Sequence, residues 1–173
     1  MRKNTLKLSP FTPNGINTVQ IIIGVVGLII GSMVYIIDRP PEQTYFINNS
    51  KLPLSLHNTV PSVFGIVGNS LPDLLHVFSF ILITAGLLSY KKKWYIIICL
   101  GWFSLDIAFE LGQKFNSLPL KIIPDWFKGI PFLENSKNYF YRGTFDIYDV
   151  IAIIVGTLIA YFILLITKKE EIV

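Results

Sequence analysis

The chain has 173 residues, 52% of them apolar and only 15% charged, with a mean hydropathy of +0.56 and a formal net charge of +4. A water-soluble domain of this size carries roughly 25% charged residues, so much of this surface faces something other than water. Plentiful aromatics exclude a disordered chain, and the single cysteine, Cys99, excludes an intrachain disulfide framework.

A bilayer core about 30 Å thick requires about 20 mostly apolar residues per spanning helix. Four such runs follow one another along the chain. The first, Thr18–Ile37, holds no lysine or arginine and follows a basic stretch. Its apolar core is too long for a signal peptide and no small-x-small cleavage site precedes Asp38-Arg39-Pro40-Pro41, so it reads as a retained anchor. Its Gly24, Gly27 and Gly31 form a face that lets another helix approach closely, and Gly156 with Ala160 does the same in the last run. Packing within the bundle is the expected use of both faces, ahead of dimerisation.

The residues from Asp38 to Ser70 form a long loop marked by Pro40, Pro41, Pro53 and Pro61, ending in the apolar stretch Val63-Phe64-Gly65-Ile66-Val67-Gly68. The second and third runs, Leu71–Tyr90 and residues 94–111, are separated by a tight turn containing Lys91, Lys92 and Lys93. A second long loop, Lys114 to Phe145, is rich in proline and aromatics, among them Trp126, Phe127, Phe132, Tyr139, Phe140 and Tyr141. Amphipathic rings favour the headgroup zone, so this loop is expected to lie on the interface as a cover over the bundle mouth. The fourth run is Ile147–Ile166.

The distribution of positive charge predicts orientation. Of the 15 lysines and arginines, eight (Arg2, Lys3, Lys7, Lys91, Lys92, Lys93, Lys168 and Lys169) crowd into the two tails and the tight turn. The other seven are spread over the two long loops. The chain is therefore expected to be an all-α membrane protein: one domain over residues 1–173, a four-helix transmembrane bundle with both termini cytoplasmic and two long extracytoplasmic loops. It is placed as a multi-pass protein of the plasma (cytoplasmic) membrane. Because the lysines mark helix ends, the basic balance gives no reason to expect a nucleic-acid partner. Membrane lipids are the expected partners, with a second copy or another membrane protein left open.

Ionisable residues inside spans cost about 2.5–3.5 kcal/mol each near the bilayer centre on insertion scales, so each one present requires an explanation. Asp73 and His76 lie three apart at the start of the second run, and Asp106, Glu110 and Gln113 follow i, i+4, i+7 spacing in the third. Arg142, Asp146 and Asp149 lead into the fourth. With the topology above, all eight fall at the extracytoplasmic end. Asp73 and Asp146 also suit ordinary helix-start roles, and His76 alone suits a hydrogen-bonded packing role. Asp106 and Glu110 resist such a reading, since their span holds no lysine or arginine alongside them. Such a pocket can hold a divalent metal through oxygen ligands, use a carboxylic acid with His76 as an acid/base pair, or bind a lipid headgroup. Metal, zinc-protease, nucleophile-elbow and phosphate-loop signatures are absent, and Ser79, Cys99 and Ser104 have no basic neighbour in sequence.

Three segments, Asp73-Leu74-Leu75-His76-Val77-Phe78, Glu110-Leu111-Gly112-Gln113 and Arg142-Gly143-Thr144-Phe145-Asp146-Ile147-Tyr148-Asp149 followed by Gly156, give a pattern that resembles the VanZ-like membrane family over residues 71 to about 165. Leu74 stands where that family usually has lysine and Ile153 where it usually has asparagine, and the segment from Gln113 to Arg142 is longer than its usual linker. The resemblance implies a small polytopic membrane protein with a cell-envelope role, the family being named for a teicoplanin-resistance protein. On this reading Asp73, His76, Glu110, Asp146 and Asp149 are the candidate catalytic residues, and Asp106, Gln113 and Arg142 the candidate substrate-binding ones. The expected ligand is a lipid or a lipid-linked envelope precursor, bound and open to modification. The alternative expectation is a non-enzymatic membrane subunit whose outer loops dock a partner protein.

Overall fold

The computed structural model describes residues 16–44, 55–88, 92–131 and 133–168, all in helices, turns and connecting coil with no strand among them. Of the residues counted above, Arg2, Lys3, Lys7, Lys51, Pro53, Tyr90, Lys91, Phe132 and Lys169 lie outside these ranges. Four helices are long and apolar enough to cross a membrane: α1 (Thr18–Ile37), α2 (Leu71–Leu88), α3 (Lys92–Lys114) and, after two short helices α4 (Ser117–Ile122) and α5 (Ser136–Arg142), the last helix α6 (Ile147–Ile166). The third helix exceeds its expected span at both ends, because lysines at helix termini can lay their apolar stems along the helix and keep the ammonium in water.

Caps set the ends. The Asn17 side chain accepts from the Gln20 amide at the start of α1, and Asp146 accepts from the Tyr148 amide at 2.9 Å at the start of α6. A cap of this kind stabilises a helix by about 1 kcal/mol. Pro72 sits in the first turn of α2, where its missing N–H costs nothing.

α2 is the central helix: α1, α3 and α6 all pack on it, and α6 also packs on α3. The core is built from Val77, Ile81, Leu82 and Ala85 of α2, Tyr95, Ile98 and Cys99 of α3, and Ile153, Ala160 and Leu164 of α6. α1 and α6 reach α2 through glycines. A Cβ on Gly24 would come within 2.9 Å of the Ser79 carbonyl oxygen, and one on Gly156 within 2.5 Å of the Leu74 carbonyl oxygen. The small-residue faces are thus used inside the bundle. Ser79 is sealed against Gly27 in the α1–α2 contact, and Cys99 is buried in the core.

The outward faces are apolar, with Ile22, Val26, Ile29 and Met33 on α1, Ile96, Ile97 and Leu100 on α3, and Leu158, Ile159 and Phe162 on α6 all exposed. That is the pattern of helices solvated by lipid. Polar groups at the chain-terminal end of the bundle pair with one another: Asn17 N–H donates to the Gly86 carbonyl at 2.8 Å, Asn17 Nδ2 to the Thr167 carbonyl at 2.9 Å, and Gln20 Nε2 to Thr167 Oγ1 at 3.1 Å. This latch ties the start of α1 to the ends of α2 and α6.

Close approach at Gly156 makes a direct prediction. Gly156→Ala forces α6 away from the α2 backbone and lowers the melting temperature of the detergent-solubilised protein, at an overpacking cost of about 1–3 kcal/mol. Gly101→Ala, with nothing within 4 Å of the added methyl, leaves it unchanged or slightly raised. Equal melting temperatures for the two variants would contradict this packing.

Candidate functional site

At the end of the bundle that carries the long loops, α1 and α3 flank α2 without packing closely on each other. The cleft between them is a cavity of about 720 Å³. Its floor is α2, with Ile153 of α6 reaching it from behind, and its roof is the segment Leu133–Phe140. From the second long loop, α5 and the turn before it lie over this cavity.

α5 is held on α3 by rings. Phe109 stacks on Phe140 at 5.7 Å between centroids, Tyr139 meets both rings edge-on, and Gly112 leaves the space that Phe140 fills. Gln113 Nε2 donates to the Tyr139 hydroxyl at 2.8 Å. Further out, Lys137 and Lys128 hold the Asp125 carboxyl below the usual carboxylate range, chiefly through the 2.9 Å hydrogen bond from Lys137, and so tie the 125–129 turn to α5.

The polar wall of the cavity comes from two helices. From α3, Asp106 and Glu110 are buried, one helical turn apart, on the face turned toward α2. From α2 come Asp73 and His76. His76 Nδ1 lies 3.1 Å from Asp106 Oδ2, and its ring packs against Phe80 at 4.6 Å, with Trp102 behind Phe80 and fixed by a 3.0 Å hydrogen bond to Thr84 Oγ1. One ring nitrogen of His76 is thus engaged by a carboxylate while Nε2 is left over, the arrangement of an oriented base. Glu110 is only 4% exposed, and its Oε2 finds no hydrogen-bond partner among the described residues. Asp73 lies within Coulombic range of Asp149, Arg39, His76 and Asp106.

The other candidate residues occupy different positions. Asp146 caps α6. Asp149 stands behind the cavity wall close to the Ser70 hydroxyl, within Coulombic range of Glu110 and Asp73, and its buried Oδ1 has no hydrogen-bond partner among the described residues. Gln113 acts on Tyr139 and does not line the cavity. Arg142 is exposed and joins no ion pair among the described residues. The guanidinium within Coulombic range of Asp73 belongs to Arg39, which lies over the Tyr35 ring at 4.6 Å and donates to the Asn69 carbonyl at 2.8 Å. Tyr35 itself lines the cavity from α1. A tyrosine four residues before an arginine at a helix end was the only sequence signal for this pair, and it looks the same as an ordinary interface anchor. No three His, Cys, Asp or Glu side chains among the described residues are placed to share a metal ion, so the donor geometry does not favour the divalent-metal option.

Beside Arg39, Asp38 fixes the loop that enters α2. Its carboxylate accepts from the Ser62 hydroxyl at 2.8 Å and from the amides of Val63, Phe64 and Gly65 at 3.0, 2.9 and 3.1 Å. Desolvation by the loop pushes this carboxyl up, but the four hydrogen bonds together outweigh it and hold the pKa below the usual carboxylate value. Comparison of the chain with family models, with curated proteins and with solved structures gives no match.

The Asp38 lock makes a pH prediction. A carboxyl with a depressed folded pKa contributes stability that is present above its unfolded pKa of about 3.9 and lost as pH falls through the folded value. Asp38→Asn therefore melts below the parent at pH 6 in detergent, and the gap closes as the pH is taken below about 4. A gap that persists unchanged to low pH would show that the ionised carboxylate is not what holds the loop.

Proposed function

We propose that this chain is an integral membrane protein of the plasma membrane, with both termini cytoplasmic, whose cavity binds the polar end of an amphipathic cell-envelope molecule from the outer leaflet. The observation that carries the reading is the cavity between α1 and α3, which joins an apolar lining to buried Asp106 and Glu110, Asp73 and an oriented His76. Its size falls in the range of pockets that take small ligands, roughly 300–1,000 Å³, enough for a headgroup and the atoms next to it. Access from the side supports a lipid. Ser32 and His76 are both exposed at the cleft, each five residues in from its helix end, about 7–8 Å below the loop-bearing ends of α1 and α2.

Within this reading the His76–Asp106 pair is the group able to take a proton from a bound hydroxyl or amine, so modification of the ligand is its natural extension. The VanZ-like pattern of the three motif segments belongs to the same proposal and draws no support from comparison with known proteins. A second reading, a scaffold whose loops dock a partner protein, is favoured by the exposed apolar side chains Val63, Ile66, Val67, Ile122 and Trp126 on those loops.

Filling the cavity separates the two. Gly31 lines it, and a Cβ there meets only Leu75 at 3.6 Å, an ordinary contact, so Gly31→Phe projects a ring into the cavity without displacing backbone. The variant is expected to accumulate in membranes and to lose about 90% or more of the lipid that the parent retains through detergent washing, read by mass spectrometry of the intact protein. Undiminished lipid retention and an intact cellular phenotype would favour the scaffold.

A further inference from the structure

The charges around the cavity define which headgroup fits. Its lining carries three carboxylates, Asp73, Asp106 and Glu110, and no lysine or arginine. Asp106 is satisfied by His76. Glu110 is more than nine-tenths buried, lines the cavity and keeps Oε2 without a hydrogen-bond partner among the described residues. Arg39, the cation within range of Asp73, is turned to the Asn69 carbonyl and the Tyr35 ring and does not line the cavity. The Asp146 backbone N–H lies near this carboxyl, but the charges closest to it, Asp149 and Asp73, are both acidic, and a group that brings positive charge together with N–H donors offsets them. Rings of Tyr35, Phe109 and Tyr139 stand around the same space and add the aromatic surface on which an ammonium is favoured.

Resting on the lipid-binding reading above, we propose that the cavity selects a phospholipid with a primary ammonium headgroup, of the phosphatidylethanolamine type, with the ammonium donating to Glu110 and balanced by Asp73. A quaternary ammonium such as choline carries the charge but has no N–H to donate to the Glu110 carboxylate. An anionic glycerol headgroup brings a hydroxyl donor but no cation. Side access at Ser32 and His76 lets the acyl chains remain in the bilayer while the headgroup enters.

The test uses the full chain purified into nanodiscs containing equal parts of phosphatidylethanolamine, phosphatidylcholine and phosphatidylglycerol. Lipids that stay bound on release into mild detergent are counted by native mass spectrometry. The expected result is enrichment of phosphatidylethanolamine by about tenfold over both others, the effect of one hydrogen bond to a charged group. Glu110→Gln keeps the shape, removes the charge and is expected to abolish the preference while lipid is still retained. Asp73→Asn serves as a second variant should Glu110→Gln fail to fold, which melting and size-exclusion elution reveal. Equal retention of the three lipids by the parent, or an unchanged preference in the folded variants, overturns the headgroup assignment and leaves the lipid cavity standing. No retained lipid of any kind in the parent overturns the lipid-binding reading itself.

Discussion

A carboxylate in a helix long enough to cross a membrane must be kept away from hydrocarbon, and two of them one turn apart on α3 set the terms for everything near them. Asp106 and Glu110 face α2 instead of lipid, which obliges α2 to supply the partner His76 and to stand close to α3 at that level. Such residues carry an insertion cost of about 2.5–3.5 kcal/mol each, too large to be kept by accident. The roof over them serves the same constraint: Phe109, Phe140 and Tyr139 lock α5 across the cleft, and Gln113 holds the Tyr139 hydroxyl.

What makes room for this polar end is the tightness of the rest. Glycines at 24 and 156 bring α1 and α6 onto the α2 backbone, Gly27 makes room for the Ser79 and Phe78 side chains, and the Asn17–Gln20–Thr167 latch closes the opposite end. α1 and α3 are each held on α2 and do not pack closely on each other, and the cleft left between them at the loop-bearing end is the cavity. Asp38 and Arg39 then fix the loop-bearing end, the first by organising residues 62–65 and the second by its hydrogen bond to the Asn69 carbonyl.

Much of this was legible in the residues. Four helices follow from run length and composition, because spanning a bilayer is a one-dimensional constraint on sequence. The i, i+4 pair Asp106 and Glu110 and the i, i+3 pair Asp73 and His76 are visible because helical geometry puts each pair on one face. The partnership of His76 with Asp106 joins two helices, and only the packing angle decides it. For the same reason Arg142, which precedes two acids in sequence, ends exposed, while Arg39, far from all of them in sequence, comes within Coulombic range of Asp73. The short helices α4 and α5 are less than two full turns each and leave no periodic signature.

The central claim is that the cleft between α1 and α3 is a lipid site with its polar end at Glu110. High-resolution electron cryomicroscopy of the full chain in lipid nanodiscs tests it most directly. The account predicts elongated non-protein density entering between Ser32 and His76 and ending in a compact feature within hydrogen-bonding distance of Glu110. A cleft closed by α1 resting on α3, with the Glu110 carboxylate paired to a protein side chain, would contradict it.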